Sequence, residues 1–462
     1  MSAPLPESIT VVKRYVESQR AQTLEQLHEL LRIPSISAQP EHSQHVWLAA
    51  EWLRQALERA GLHNSKLVEG EGHPLVTAEW LQAPGKPTVL FYGHYDVQPP
   101  DPLEEWLSPP FEPTQRGDNL YARGVADDKG LMLIWVKALE ALAAQGDLPV
   151  NVRVLCEGEE ESDGQHLKQW LQAHATDIPA DAVIICDTEM FAPEWPSITV
   201  GLRGILYLEL LLEGAKTDLH SGSYGGVAPN PLQAASEIIT ALKGSDGHIR
   251  VPGFYDSVEE VTKSQRDHWA ALPFDENRFL EEDLGVTATS GEAEFGILER
   301  IWARPTLEIH GIAGGYTGEG AKTVIPARAT VKLSCRLVPY QDPAKIEQLL
   351  RQAIDAAMPA GIRSTLKVLG ASPASVVDAE HPFVKLASET LSSHFENPAT
   401  AIRCGGSIPV VGEFTERLGT PCLLLGFGLP DDNLHAPNEK LYMPNFWRGI
   451  VAVADLLLRM GK

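Results

Sequence analysis

The apolar positions along this chain switch between two periods, and the switching lays out the architecture. Residues 8–33 and 45–61 repeat apolar side chains at helical spacing, and HVWLAAEWLRQALERAG closes on a glycine where a helix C-terminus favours one. LVTAEW and TVLFYGH follow as strands, the second a dense apolar run suited to a sheet position buried on both faces. The proline-rich QPPDPLEEWLSPPFEPT suits neither a helix nor an inner strand and reads as an ordered surface excursion. KGLMLIWVKALEALAAQG is a buried helix, VNVRVLCEGEEES a strand running into a turn, GQHLKQWLQAHA another helix and ADAVIICDTE another buried strand. Such alternation predicts an α/β fold, a mostly parallel sheet flanked by helices. Ligands of these sheets bind beyond the carboxyl ends of the strands, where His94, Glu160, Glu161 and Asp187 fall.

Past Gly204 the pattern changes. ILYLELLLEG is a long strand with no helix directly after it; HSGSYGG and the helix NPLQAASEIITALKG come next, and residues 245–300 are polar and irregular with short helical pieces. TLEIHGIAGG and ATVKLSCRLVPY are strands again, followed by the amphipathic helix PAKIEQLLRQAIDAAM. From His381 helix and strand alternate once more through KLASETLSSHF, CLLLGFG and WRGIVAVADLLLRMG. The expected organisation is a catalytic domain in two parts, 1–204 and 379–462, interrupted by an inserted α+β domain at 205–378.

Composition narrows the partners. A length of 462 residues exceeds one ordinary core, which supports two domains. The 38 Lys and Arg against 62 Asp and Glu leave a net charge of −24, a field that repels nucleic acid and anionic membranes. No run of eighteen apolar residues reads as a membrane span, and MSAPLPESITVVKRYVESQ reads as an amphipathic helix, not a signal peptide. The five cysteines are scattered without a CxxC pair, and Cys156, Cys186 and Cys335 sit inside apolar runs as reduced core thiols. A cytoplasmic protein is expected.

Against that background one set of polar residues is distinctive. His94-x-Asp96 closes a strand, Asp127-Asp128 opens a helix, a run of three glutamates, Glu159 to Glu161, follows another strand, and Asp187 and His435 complete the series. Histidine and carboxylate donors without thiolates suit zinc, manganese or cobalt. Residues two apart on a strand face the same way, which casts Asp96 as the group orienting His94. A carboxylate at a helix start, such as Asp127, can bridge two metals. Adjacent glutamates diverge, so one can bind metal while its neighbour holds the attacking water. Taken singly, an HxD pair, a run of glutamates or a late histidine is most often ordinary surface or core chemistry; it is their joint occurrence at strand ends that points to a metal site.

Several motifs, GHYDVQPP, YARGVADDKG, EGEEES, GLRG, DLHSGSYGG, GAKTVIP, RLVP, GGSIP and HAPNEK, resemble those of the di-zinc aminoacylase/carboxypeptidase-type metallopeptidases, in particular the carnosinase and cytosolic nonspecific dipeptidase branch. The resemblance spans essentially the whole chain. It implies one metal on His94, Asp127 and Asp187 and a second on Asp127, Glu161 and His435, with Glu160 as general base, Asp96 orienting His94, and a cis peptide bond at Asp127–Asp128. It implies hydrolysis of dipeptides or short peptides by a two-metal-bound hydroxide. His220 would stabilise the oxyanion in the active site of the other subunit of a homodimer formed through the insert. Arg336, Thr323 and Ser407 match substrate-contacting positions, Arg336 as the clamp for a terminal carboxylate. A deacylase of N-acyl amino acids using the same site is the alternative. A non-catalytic relative would be expected to have lost a ligand or the base, and every matched position here carries a competent residue.

Overall fold

The computed structural model describes residues 7–162 and 164–462. The chain divides into two compact units: Met1–Val200 with Val377–Ile402 and Glu413–Lys462, and Gly201–Val376 with Arg403–Gly412.

In the first unit the apolar runs become β1 (His63–Val68), β2 (Leu75–Trp80), β3 (Thr88–His94), β4 (Asn151–Glu157), β5 (Ala182–Glu189) and β6 (Ser197–Leu202). The second unit holds β7 (Gly204–Glu213), β8 (Thr306–Gly314), β9 (Arg328–Leu337) and β10 (Arg363–Ser372), and the first regains the chain for β11 (Cys422–Gly428). The main strands of the first sheet lie in the order β1-β2-β4-β3-β5-β11-β6. Its centre, β4-β3-β5-β11, is parallel, and β2 against β4 and β6 against β11 are antiparallel. This is the mixed, mostly parallel α/β sheet expected from the alternation. β3 is buried along all but its first residue, as its unbroken apolar run requires of a central strand.

The helix Lys129–Ala143 is apolar nearly all round and buries thirteen of its residues, so it belongs in the interior. Even Lys129 is inside; its Nζ donates to the carbonyls of Leu30 (3.2 Å) and Ile33 (2.6 Å). The periodic stretch 8–33 is two helices, Glu7–Ser18 and Arg20–Leu31. The joint at Gln19 keeps the apolar stripe in phase, so periodicity alone does not reveal it. The proline-rich loop is ordered: Trp106 Nε1 donates to Pro100 O (2.7 Å), and Asn438 is hydrogen-bonded to the backbone of both Glu105 (2.9 Å) and Leu107 (2.8 Å).

The second unit is built on an antiparallel sheet, β8-β9-β7-β10. β7 alternates strictly, burying Leu206, Leu208, Leu210 and Leu212 in a core shared with the helices Pro231–Leu242 and Pro343–Ala356. No helix among the described residues is long and apolar enough to cross a membrane.

Candidate metal centre

Three strands of the first sheet end at one place. β3 stops at His94, which is fully buried, and the chain turns so that Asp96 lies behind the ring. Asp96 Oδ1 is 3.3 Å from His94 Nδ1, and the Asp96 carbonyl is 3.2 Å from the same nitrogen. Nε2 is thereby aimed the other way, at Asp127 Oδ1 (3.1 Å) and Asp187 Oδ2 (3.7 Å), the latter delivered by β5. Asp96 Oδ2 also accepts the Glu161 N–H at 3.1 Å, so one buried carboxylate orients both the imidazole and the turn after β4.

Asp127 sits between two histidines. Its Oδ1 faces His94 and its Oδ2 faces His435 Nε2 at 2.9 Å; His435 Nε2 is in turn 3.3 Å from Glu161 Oε1. Ligand atoms of His94, Asp127 and Asp187 fall within 4.8 Å of one another, as do those of Asp127, Glu161 and His435. Asp127 is common to both sets. Its bond to Asp128 is cis. Glu161 Oε2 is held by Gln98 Nε2 at 2.8 Å.

The electrostatics are those of a site short of positive charge. Burial opposes a charged His94, yet the hydrogen bonds it donates to the Asp127 and Asp96 carboxylates outweigh it and hold the ring well above the usual histidine range. Hydrogen bonds to Asp127 and Glu161 push His435 up to about 10. Burial raises Glu160 to about 7 and Asp128 to about 8, and repulsion among the carboxylates adds to both. Burial likewise raises Asp187 well above its ordinary value, with Asp128 and Asp127 adding to the shift. Four clustered carboxylates (Asp127, Glu160, Glu161, Asp187) face only two histidines. Oxygen and imidazole donors in that ratio fit divalent cations.

The three consecutive glutamates separate by what each touches. Glu159 is buried and accepts the N–H of His73 (3.1 Å) and of His166 (3.2 Å). Glu161 faces His435, while Glu160 has no hydrogen-bond partner among the described residues.

Two further residues matter to the site, one that pattern reading passes over and one to which it gives no role of its own. Glu439, inside the HAPNEK motif, is fully buried. Its Oε1 accepts the N–H of Ala126 (2.9 Å) and Asp127 (3.1 Å), and its Oε2 accepts the Gly124 N–H and Arg123 Nη1, both at 2.8 Å. A glutamate beside a lysine reads as solvated surface; the only signal was its place four residues after His435. Asp128 Oδ2 accepts the His94 N–H at 3.1 Å, bracing β3 from the far side of the cis bond.

The remaining expected residues lie in the second unit and form two pairs there. His220 ends a two-stranded ladder opposite Val324, and Thr323, just before Val324, accepts the Ser221 N–H on its carbonyl at 3.1 Å. His220 is exposed, and its Nδ1 accepts the Gly222 N–H at 3.0 Å. Arg336, on β9, donates from Nη1 to Ser407 Oγ at 2.9 Å.

Residues 90–459 match the model of peptidase family M20/M25/M40. The chain belongs to this family. It is the family that the motifs resemble, and its members' fold is the one described here: the solved M20 metallo-carboxypeptidase Sso-CP2 of Sulfolobus solfataricus superimposes with a TM-score of 0.85 at 33% identity, covering 95% of this chain and 99% of that one. Among M20 relatives, the Beta-Ala-His dipeptidase of Homo sapiens is 31% identical over 481 residues, 100% of this chain and 94% of the relative. The Cys-Gly metallodipeptidase DUG1 of Saccharomyces cerevisiae is also 31% identical over 481 residues, covering 98% of each chain. The chain is thus an enzyme of the peptidase class whose relatives are named dipeptidases.

Proposed function

We propose that this M20 peptidase is a metal-dependent dipeptidase. Two divalent cations, zinc foremost with manganese or cobalt accepted by the same donors, would be held by His94, Asp127 and Asp187 and by Asp127, Glu161 and His435. One observation carries the reading: the two oxygens of Asp127 face two separate histidines, each with its own further carboxylate. When bound, the cations polarise the scissile carbonyl and acidify water.

The chain's own residues do the rest. Glu160, without a hydrogen-bond partner among the described residues and with a carboxyl raised toward neutrality by burial, takes the proton of the attacking water and passes it to the departing amine. Asp96 keeps His94 in one orientation. His220 accepts a backbone N–H on Nδ1, so its neutral ring carries the proton on Nε2 and presents a donor suited to an oxyanion. In this reading it serves the other subunit of a homodimer made through the inserted domain. Arg336 clamps the substrate's terminal carboxylate beside Ser407, and Thr323 is a further residue of the binding surface. Glu159 is excluded as the base because both its oxygens are engaged by backbone N–H groups. The five cysteines are free thiols, which suits a cytoplasmic setting.

The test is a panel of dipeptides, tripeptides and N-acetylated counterparts, assayed with each metal and after chelation. Dipeptide hydrolysis should vanish on chelation and return with metal, and the N-acetyl forms should be poor substrates. Preferential cleavage of the acylated forms would make the chain a deacylase. Glu160→Gln should abolish turnover while metal analysis still finds both ions; an active Glu160→Gln enzyme would remove Glu160 from the mechanism.

A further inference from the structure

We propose that Arg203 is a positioning residue for the carboxylate clamp, and that the segment 245–304 provides its seat. This rests on Arg336 being that clamp.

Arg203 follows β6 and uses its backbone and its side chain on the same neighbours. Its Nε donates to the Gly405 carbonyl at 3.0 Å, and its Nη1 points at the carbonyls of Arg304 (3.4 Å) and Arg300 (3.5 Å). Its N–H donates to Gly406 O at 3.1 Å, and its own carbonyl accepts the Ser407 hydroxyl at 2.5 Å. A methyl group on Gly405 would stand 2.9 Å from Arg203 Nη2 and 3.0 Å from Ile301, so the glycine is what lets the two segments meet.

A hydroxyl has one proton. Ser407 spends it on the Arg203 carbonyl, so what it offers Arg336 Nη1 is a lone pair. Ser407 therefore fixes the guanidinium and has no proton left for a substrate carboxylate while that bond stands. Its match to a substrate-contacting position is thereby reread as support for Arg336. Among the described residues no carboxylate ion-pairs with Arg203 or Arg336. In a chain with an excess of 24 negative charges, two half-buried guanidinium groups without an acid leave a place for an arriving anion.

The seat comes from the stretch with no readable pattern. Arg300 and Arg304 offer carbonyls at and just beyond the C-terminal turn of the helix Ile297–Trp302, where backbone acceptors lack intrahelical donors. The helix is fixed at its other end by Glu299, which accepts the Gly296 N–H (2.8 Å) and Arg266 Nε (2.5 Å). Arg304 is paired through two nitrogens with Glu292, at 2.5 and 3.1 Å, and lies over the rings of Phe295 and Tyr255. Trp269 packs edge-on against Trp302, ring centroids 5.4 Å apart. The segment is a small aromatic block that presents two carbonyls to Arg203.

The experiment compares a good dipeptide with its C-terminal amide on the metal-loaded enzyme. Arg336→Met is the reference and should abolish the preference for the free acid. Arg203→Met should lower that preference on the order of tenfold to a hundredfold, mostly through KM for the acid. Ser407→Ala, which removes only a hydroxyl, should lower it in the same direction and add little on top of Arg336→Met; it decides the question if Arg203→Met does not fold. If Arg336→Met abolishes the preference but Arg203→Met or Ser407→Ala keeps it, Arg203 has no positioning role and the clamp stands. If Arg336→Met itself keeps the preference, the clamp fails and this inference with it.

Discussion

Glu439 is the residue on which the geometry places the heaviest demand without touching a metal ligand's side chain. Its two oxygens receive four donors, three from the backbone of Gly124, Ala126 and Asp127 and one from the Arg123 guanidinium. Glu439→Gln keeps the shape but replaces one oxygen with an NH2 group, so two of the four donors meet a donor. The ion pair with Arg123, both partners buried, is lost as well. Breaking a buried pair from one side costs about 3–5 kcal/mol. Part of that cost falls on the Asp127 N–H, because the loop carrying the proposed shared ligand loses its anchor. The expected results are a lower thermal midpoint and a drop in apparent metal affinity of about tenfold to a hundredfold, the range seen when groups supporting metal ligands are removed. Metal titration of the chelated protein, with melting curves of both forms, measures both effects. Arg123→Met should cost less on top of Glu439→Gln than alone. A Glu439→Gln protein with the affinity and midpoint of the parent would refute the reasoning.

The other predictions are shorter. Asp127→Ala should lose both ions in metal analysis, whereas His435→Ala should keep one; a single ion retained by Asp127→Ala would contradict the bridge. For the metal-free protein, burial lifts Glu160 to about 7 and Asp128 to about 8, and carboxylate neighbours lift His435 to about 10. At Glu160 and Asp128 the folded chain therefore binds more protons than the unfolded one from the ordinary carboxylate range up to about 8; above about 7 the gain at His435 is opposed by Lys129, which burial lowers to about 7. Its stability should fall as pH rises from the ordinary carboxylate range to about 8. Bound cations replace those protons, so the gain in melting temperature on adding metal should grow with pH; a gain that shrinks from pH 6 to pH 8 would count against the site.

Much of the first unit could be read from the chain because its elements are long and one-sided. β3, β4, β5 and the helix Lys129–Ala143 are apolar enough that period and length settle them, and strand ends locate His94, Glu160, Glu161 and Asp187. What could not be read depends on partners distant in sequence. Glu439 reads as surface until Gly124–Asp127 folds over it, and the separate duty of Glu159 exists only because the backbone at His73 comes to meet it. Residues 403–412 continue a helix–strand alternation on paper, yet cluster with the second unit, because Arg203 and Arg336 hold them. The segment 245–304 has short helices capped by local side chains and a few stacked aromatics, a construction with no period to detect.

The hydrogen bond between Asp127 and His435 joins residues 308 positions apart. A ribosome adding about 5–20 residues per second makes the second partner roughly 15–60 s after the first. Throughout that interval the Asp127 loop has neither His435 nor Glu439, while His94 is already present and Glu160, Glu161 and Asp187 are made early in it. A nascent chain thus carries the donors proposed for one ion, His94, Asp127 and Asp187, well before it owns His435, which completes the set proposed for the second.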